Sequence, residues 1–410
     1  MAKKTITTDS LFKEMKKLNP FSSSLADSDF ALPSEYISTG NYILNATLTG
    51  SLRKGIPNNR SICLAGESGA GKTFVLLNLC KQAQDMGYHI IYYDTEGAVD
   101  RDMALKFGIN PNAFQHEPIS DIDTFRTSIT TVTKTLIDVK ATGGELPKIF
   151  IALDSLGMLA TQKEIDDAMT GSDKSDFTRA KKIRSLFRII TNDLTGCKVP
   201  FVLTNHVGVN IGGYGDPVVM GGGDGLKYSA SIISCYSKAK LKEDKNDAKR
   251  QTGMVLTSKC WKNRFAQPHT VKVHIDFSKG MNAYFGLHEF MSWENCGIGR
   301  GNIYTEKQYE KFTDAEKTEC LNNNYKFEHD DKTFYFFPKA TAQKYVVKHL
   351  GRALKASELF VPEVWEPIID ELDDKVIKPM FEFGHMDEDF GSEVEDLIAD
   401  SEDATNILDK

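Results

Sequence analysis

Eight consecutive residues carry the strongest chemical signal in the sequence. The segment GESGAGKT fits the pattern G-x-x-x-x-G-K-[S/T] and lies between the apolar run SICLA and a stretch of helical periodicity. Glycines allow the backbone to curl so that successive N–H groups face a phosphate, and the start of the following helix adds partial positive charge. A chance glycine-rich turn would not need the flanking strand and helix. The predicted phosphate-binding residues are Gly66, Glu67, Ser68, Gly69, Ala70, Gly71, Lys72 and Thr73.

Four side chains in and beyond this segment are suited to act on a nucleoside triphosphate. Lys72 would reach the β- and γ-phosphates, and the Thr73 hydroxyl would hold Mg²⁺. Asp154 ends the apolar run IFIAL and is the expected second Mg²⁺ ligand. Glu96 follows the run HIIYYD, a strand that we expect to neighbour the phosphate-loop strand, and is the candidate for activating water; a solvated turn acid is the competing interpretation. ATP and Mg²⁺ are therefore the expected cofactors, with Lys72 and Glu96 catalytic.

The elements that would position these side chains alternate along the chain. Short apolar runs are interspersed with segments whose apolar residues recur at helical spacing, for example over 75–86 and 183–194. Such alternation predicts an α/β fold with a largely parallel, twisted sheet flanked by helices on both faces. The candidate strands are 61–65, 89–94, 148–154, 200–205, 231–236, 253–258 and 270–277.

Changes in composition divide the chain into four predicted regions. Residues 1–40 combine a short amphipathic helix with an arm rich in Ser, Asp and Pro, and residues 41–285 form the α/β core. Residues 286–380 are expected to form a small, mixed and mostly helical second domain. Residues 381–410 hold eleven acidic residues and one lysine, which predicts a solvated, disordered tail.

Two polar segments follow predicted strands at the edge where ligands of open α/β sheets bind. Residues 161–178 and the glycine-rich residues 206–227 are longer than ordinary connections and are expected to be functional loops. A disordered surface insertion is the alternative for either loop alone. A glycine-rich backbone with isolated apolar residues can lie against a phosphodiester strand and place apolar groups between bases. The basic helix predicted at 177–195 agrees with a DNA-binding role for both loops.

Composition excludes several other classes of protein. Hydrophobic residues make up 40% and charged residues 26%, and no apolar run approaches the ~20 residues that span a bilayer. The amino terminus lacks the features of a signal peptide, so we expect a cytoplasmic protein without membrane contact. Seven scattered cysteines without a Cys-x-x-Cys pair argue against disulfides and zinc. The net charge of −7 separates into −10 for residues 381–410 and +3 for the rest, which removes its apparent conflict with DNA binding.

In order and spacing, these segments resemble RecA-type strand-exchange recombinases. The resemblance rests on GESGAGKT, YYDTEGAVDRDMALKFG, IFIALDSLGML, and FVLTNH followed by GGGDGLKYSAS; ALDSLGMLATQKEIDDAM and VMGGGDGLKYSA look specifically like the UvsX recombinases of T-even-type phages. It covers residues 40–290 and is weak elsewhere. It implies an ATPase that forms a helical filament on single-stranded DNA and exchanges strands with homologous double-stranded DNA. Hexamers or other oligomers without DNA, a single-stranded-DNA-binding protein and a recombination mediator are the further partners it implies.

The resemblance also implies roles for individual residues. Glu96 would activate the attacking water, and Lys262 and Arg264 would reach across the interface to the ATP of the neighbouring subunit. His206 stands where bacterial members carry a Gln that senses the γ-phosphate, although a histidine satisfied within the sheet is the alternative. Met103 stands where an aromatic residue usually covers the adenine. Residues 1–40 would serve subunit assembly, and the implied DNA-binding residues are Arg179, Met220, Gly221, Gly222 and Gly223.

Two other functions are compatible with the same core fold. A hexameric replicative helicase would normally lack the pattern of residues 161–178 and the match around GGGDGLKYSA. A non-catalytic, nucleotide-dependent regulator would be expected to have lost Glu96 or the two loops, and both are present in this sequence. We therefore expect a recombinase.

Overall fold

The computed structural model describes residues 7–171, 178–209, 218–221, 224–242 and 251–383. The strands of the first 290 residues are β1 (Tyr36–Ile37), β2 (Ile56–Pro57), β3 (Ser61–Gly66), β4 (His89–Asp94), β5 (Phe114–Pro118), β6 (Ile149–Asp154), β7 (Phe201–Val209), β8 (Val218–Met220), β9 (Ile232–Lys242), β10 (Gln251–Lys262), β11 (Thr270–Asp276) and β12 (Gly280–Met281). The helices of this part are α1 (Thr8–Leu18), α2 (Tyr42–Thr49), α3 (Lys72–Asp85), α4 (Arg101–Lys106), α5 (Ile122–Ala141), α6 (Gln162–Thr170), α7 (Thr178–Gly196) and α8 (Asp224–Ser229).

Ten of these strands form one large sheet within the described residues. Its order is β12-β11-β10-β9-β3-β7-β6-β4-β5, and β8 pairs with β7 outside this path. The strands from β9 to β5 are parallel, whereas β10, β11 and β12 add an antiparallel edge. The predicted α/β fold with a largely parallel sheet is therefore confirmed. The expectation that the Glu96 strand neighbours the phosphate-loop strand is wrong, because β7 and β6 lie between β3 and β4.

Helices cover both faces of the sheet, as the apolar pattern of β3 requires. Ile62 and Leu64 pack on one face with residues of α3, and Cys63 and Ala65 pack on the other with residues of α5 and α7. The sequence prediction missed α5 because its ITTVT segment consists of β-branched residues, which have weak helix propensity. It missed β5, whose residues FQHEP lack an apolar run.

The two predicted long loops contain helices and strands, which corrects their prediction as loops. Residues 162–170 form α6, which begins with a capping box between Thr161 and Glu164. In the second segment, β7 extends to Val209, β8 returns antiparallel to it, and α8 follows. The remaining parts of the two segments, residues 172–177, 210–217 and 222–223, lie outside the described residues.

The carboxy-terminal region is mixed and has more helical than strand residues, but it is built around a five-stranded sheet that the sequence prediction did not anticipate. Its strands are β13 (Ile298–Thr305), β14 (Lys326–His329), β15 (Lys332–Pro338), β16 (Lys344–Val347) and β17 (Arg352–Lys355). They form an antiparallel sheet of order β14-β15-β13-β16-β17. Several of these strands have only four residues, too few for a clear alternating pattern. The helices are α9 (Trp293–Cys296), α10 (Glu306–Tyr309), α11 (Asp314–Asn322), α12 (Pro362–Trp365), α13 (Ile369–Leu372) and α14 (Lys378–Phe381).

The last helices return to the large sheet and pack beside α2. Trp365, Leu372 and Phe381 are fully buried in one cluster with Ile43 and Ala46. The predicted start of the acidic tail at residue 381 therefore falls on a buried core residue. Residues 384–410, which carry most of the predicted tail, lie outside the described residues.

The amino-terminal helix α1 agrees with the amphipathic helix predicted there. None of its residues is buried. Its apolar side chains are at least about half exposed, and they are Leu11, Phe12, Met15 and Leu18. No helix in the described part of the chain is long and apolar enough to cross a membrane.

Candidate functional site

The phosphate loop spans the turn between β3 and α3. β3 ends at Gly66, and Gly71 is the amino-terminal cap of α3. Gly69 and Gly71 have φ angles of +69° and +90°, which side chains disfavour. A Cβ atom at Gly71 would also lie only 2.7 Å from Cε of Met254. These two glycines therefore fit positions that the loop geometry reserves for glycine.

Lys72 is held at the mouth of this loop. Its side chain is largely buried, and Nζ donates hydrogen bonds of 2.9 Å to the carbonyl oxygens of Gly66 and Glu67. Burial lowers the pKa of Lys72, against the opposing attraction of Asp154 and Glu96. The ammonium group is thus placed beside the backbone that would wrap a phosphate.

Asp154 joins the phosphate loop to the end of β6. The Thr73 hydroxyl donates a hydrogen bond of 2.6 Å to Oδ2 of Asp154, and the Tyr92 hydroxyl donates one of 2.9 Å to the same oxygen. The Thr204 hydroxyl donates to Oδ1. Carboxylate and hydroxyl oxygens are ligands that Mg²⁺ accepts, so Thr73 and Asp154 fit the metal expected from the sequence.

Glu96 lies across the same sheet edge with two hydrogen-bond partners. The Ser155 hydroxyl donates to its Oε1 at 2.8 Å, and Nε2 of His206 lies 2.9 Å from that oxygen. Burial acts to raise the pKa of Glu96, but the hydrogen bonds from His206 and Ser155 outweigh it and lower the pKa. The carboxylate is therefore ionised and oriented, as a water-activating group requires.

Asp94 holds the turn that carries Glu96, a role that sequence reasoning missed. Its buried carboxylate accepts hydrogen bonds from the backbone N–H groups of Glu96 and Gly97 at 3.0 and 2.7 Å. Nε2 of His116 on β5 lies 3.0 Å from the same carboxylate. The sequence did hold a signal for Asp94, because this Asp ends a strand two residues before a candidate catalytic acid. The contact with His116 could not be predicted in this way, because it depends on the pairing of β4 with β5.

The side chains of Lys72, Thr73, Glu96, Asp154 and His206 line a single cavity of about 350 Å³. The structure therefore brings these predicted site residues together. The sequence did not point to the cavity residues contributed by β9, by β10 and by the residue after β11, which are Lys238, Lys240, Gln251, Met254 and Phe277.

Three residues predicted to contact ATP lie apart from this cavity. Met103, on α4, packs against the core cluster on the α3 face of the sheet and is not among the lining residues. Nζ of Lys262 donates hydrogen bonds to the carbonyl oxygens of Lys227 and Tyr228. A guanidinium nitrogen of Arg264 donates one of 3.3 Å to the carbonyl oxygen of Tyr228. Lys262 and Arg264 therefore lie together at the end of α8, outside their own subunit's cavity.

The described DNA-binding candidates contact β7 and the segment directly after β6, and both strands carry residues that line the cavity. Met220 is buried in β8, and the Gly221 N–H donates a hydrogen bond of 3.1 Å to the carbonyl oxygen of His206. The guanidinium of Arg179 donates to the carbonyl oxygens of Gly157 and Leu159 at 2.6 and 3.1 Å, directly after β6. Gly222 and Gly223 lie outside the described residues.

A phosphate loop after a central parallel strand, faced by acidic side chains from the same sheet edge, defines the class of P-loop nucleotide-binding proteins. A family model described as the RecA N-terminal domain matches residues 22–282, which is more than half of the chain. The chain belongs to the RecA family.

Individual relatives agree with this assignment at low identity. The chain is 28% identical over 251 residues to the recombination and repair protein of Enterobacteria phage T4, an alignment that spans 60% of each chain. It is 25% identical to Protein RecA of Pseudarthrobacter chlorophenolicus, over 80% of this chain and 85% of that protein. It is 26% identical to Protein RecA of Thermotoga maritima, over 68% of this chain and 74% of that protein. The names of these relatives favour neither a helicase nor a regulator.

Proposed function

We propose that this protein is a DNA recombinase that hydrolyses ATP, assembles as a filament on single-stranded DNA, and pairs that strand with homologous double-stranded DNA. The names of the T4 and RecA relatives support this function. One structural observation carries it furthest. A short hydrogen-bond path joins Glu96 in the nucleotide cavity to Gly221, which directly follows β8 in the second predicted DNA-binding segment. Coupling between ATP and DNA is what separates a recombinase from a simple nucleotide-binding protein.

The path passes through two adjacent residues of β7. The ring of His206 contacts Glu96, and the backbone carbonyl of the same residue accepts the hydrogen bond from Gly221. The side-chain amide of Asn205 donates a hydrogen bond of 2.8 Å to the carbonyl oxygen of Gly221. A change in the ring position of His206 on ATP binding would therefore shift the strand that leads to the DNA.

In the proposed reaction, Lys72 binds the β- and γ-phosphates and Glu96 orients and deprotonates the attacking water. Thr73 and Asp154 would hold Mg²⁺, which when bound neutralises charge on the phosphates. Phe277 offers an aromatic surface for the base that Met103 does not, because its ring lines the cavity and is 59% exposed. We propose that Phe277 covers the adenine.

Lys262 and Arg264 are proposed to act on the ATP of the neighbouring subunit. Their described contacts are with backbone carbonyl oxygens, and neither forms an ion pair with a described carboxylate. An ammonium and a guanidinium placed together suit a polyphosphate, and Arg can bind it with two donors. Hydrolysis would then depend on a filament, because these charges are supplied from the next subunit.

DNA contacts are proposed for Arg179 and for residues 220–223. To bind DNA, Arg179 must share or release the carbonyl oxygens that it now contacts. The exposed apolar side chains of α1 support a role of residues 1–40 in assembly. A single-stranded-DNA-binding protein and a mediator remain the expected partners. The expected location remains the cytoplasm, which would be that of the host if the gene belongs to a phage.

The test measures ATP hydrolysis with and without single-stranded DNA, together with pairing of a labelled strand with supercoiled duplex. We expect single-stranded DNA to raise hydrolysis many-fold, and pairing to require ATP and a homologous duplex. Equal hydrolysis with and without DNA would rule out the filament mechanism. Unwinding of a forked duplex without homology would instead support the helicase alternative.

A further inference from the structure

Lys238 is a basic residue that the sequence did not connect with the nucleotide. β9 runs parallel to β3, and their last paired residues are Gly66 and Tyr236. Lys238 follows two residues later, so it faces the same side of the sheet as Tyr236 and lies beyond the end of β3. Its side chain lines the nucleotide cavity.

The ammonium group of Lys238 lies directly against the phosphate loop. Nζ donates a hydrogen bond of 3.2 Å to the carbonyl oxygen of Ser68, and a Cβ atom at Gly69 would lie 2.6 Å from Nζ. Successive N–H groups of this loop are the ones that wrap a phosphate. An ammonium at Ser68 and Gly69 therefore lies within reach of a phosphate bound in the loop.

Within the described residues, no carboxylate neutralises the charge of Lys238. The residue is exposed. The Ser68 carbonyl accepts only one of the three hydrogen bonds that an ammonium can donate. Among the described residues, nothing else accepts from this ammonium, so its other two donors can bind a polyanion in the cavity.

We propose that Lys238 binds the phosphates of the nucleotide within its own subunit, as a second ammonium beside Lys72. This inference rests on the proposed function, since it concerns the same nucleotide. The four basic residues proposed to contact the nucleotide would then act at two different stages. Lys72 and Lys238 hold the nucleotide before subunits assemble, whereas Lys262 and Arg264 of the next subunit act once the filament has formed.

A purely structural role is the competing interpretation, because Lys238 also contacts the loop backbone. The two roles respond differently to substitution. Gln in place of Lys238 keeps a hydrogen-bond donor for the Ser68 carbonyl and loses the charge, whereas Arg keeps the charge. If Lys238 binds phosphate, Arg should preserve its function and Gln should not. If Lys238 only stabilises the loop, Gln should preserve its function.

The experiment titrates the full-length chain, without DNA, with ADP that carries a fluorescent methylanthraniloyl group on the ribose. We expect K238A and K238Q each to weaken ADP binding about tenfold, the effect of losing one charge-assisted hydrogen bond at an exposed site. K238R should bind within about twofold of the unsubstituted protein. The matched control is K259A, which removes an exposed lysine on the adjacent strand, outside the cavity lining. The loss should shrink as salt is added, since salt screens exposed charges.

The outcomes separate this inference from the proposed function. If the unsubstituted protein does not bind ADP, or if K72A binds ADP as tightly as the unsubstituted protein, the assignment of the nucleotide site is wrong. If the unsubstituted protein binds and K238Q binds equally well, the phosphate role of Lys238 is overturned. Thermal unfolding shows whether each variant is folded. If K238A is unfolded, the comparison of ADP binding by K238R and K238Q shows whether the positive charge is required.

Steady-state hydrolysis with single-stranded DNA gives a second readout. Binding made equally in the ground state and the transition state changes KM and leaves kcat unchanged. We therefore expect K238A to raise the KM for ATP about tenfold with little change in kcat. A fall in kcat at constant KM would contradict a role in nucleotide binding before assembly.

Discussion

The carboxylate of Glu96 is shared between Ser155 and His206, and this sets the acidic limit of the proposed hydrolysis. A lowered pKa keeps Glu96 ionised as the pH falls, so its function is lost only when the pH passes through that lowered pKa. Ser155→Ala removes one of the two donors. We expect the acidic limb of the kcat–pH profile for DNA-stimulated hydrolysis to move to higher pH.

His206→Ala removes the other donor and should move the same limb in the same direction. An acidic limb that stays in place in both variants would show that Glu96 is not the group that titrates.

Lys72 supports a direct prediction at the same scale. Lys72→Ala removes the ammonium from the phosphate loop, so we expect ATP hydrolysis to fall at least about a hundredfold and DNA strand exchange to be lost. The matched control is Lys81→Ala on the same helix, which removes a lysine paired with Asp85 away from the cavity. A Lys72 variant that still exchanges strands would contradict the phosphate assignment.

At the scale of elements, β7 and β8 form the proposed connection between ATP and DNA. Asn205 is fully buried, and its side-chain amide contacts the backbone of Gly221. Asn205→Ala breaks this link without touching Lys72 or Asp154. We expect hydrolysis without DNA to remain, while the stimulation by single-stranded DNA falls several-fold.

The control for the connection is Ser229→Ala in α8. It removes a side-chain hydrogen bond to Gly225 that does not involve β7. If the Asn205 and Ser229 variants lose the same amount of stimulation, the effect comes from a general loosening of the segment and the coupling path is wrong.

For the whole molecule, the acidic end of the chain competes with DNA in our interpretation. Residues 384–410 contain ten acidic residues and one lysine. Removing them should tighten binding to single-stranded DNA, because an acidic segment and DNA attract the same basic surface. The gain should shrink with added salt. Unchanged affinity in fluorescence anisotropy would leave the segment without a role in DNA binding.

The position of the truncation matters for stability. Phe381 is fully buried, its ring stacks on His269 at 4.0 Å, and its carbonyl oxygen accepts a hydrogen bond of 2.6 Å from the Gln267 N–H. A chain ending at Met380 should therefore lose about 3 kcal/mol of unfolding free energy relative to one ending at Phe383. Urea denaturation of the two truncated chains measures this difference, and equal midpoints would contradict the packing of α14.

The phosphate loop, the α/β class and the acidic residues at the strand ends were predictable from the sequence alone. These features are encoded by residues close together in the chain, because glycine positions, apolar runs and strand ends are local patterns. The family resemblance added roles for Glu96 and His206. The resemblance could not show that these two side chains are in contact, because they are 110 residues apart in the sequence.

Which side chains share the nucleotide cavity could be learned only from the folded chain. Strand order separates β4 from β3 and sets β9 beside β3, which places Lys238 at the phosphate loop and leaves Met103 away from the cavity. Pairing with β5 brings His116 to Asp94, and the return of the last helices buries Phe381. Such contacts depend on the pairing of strands and the packing of helices that are distant in sequence, and local propensity carries no information about either.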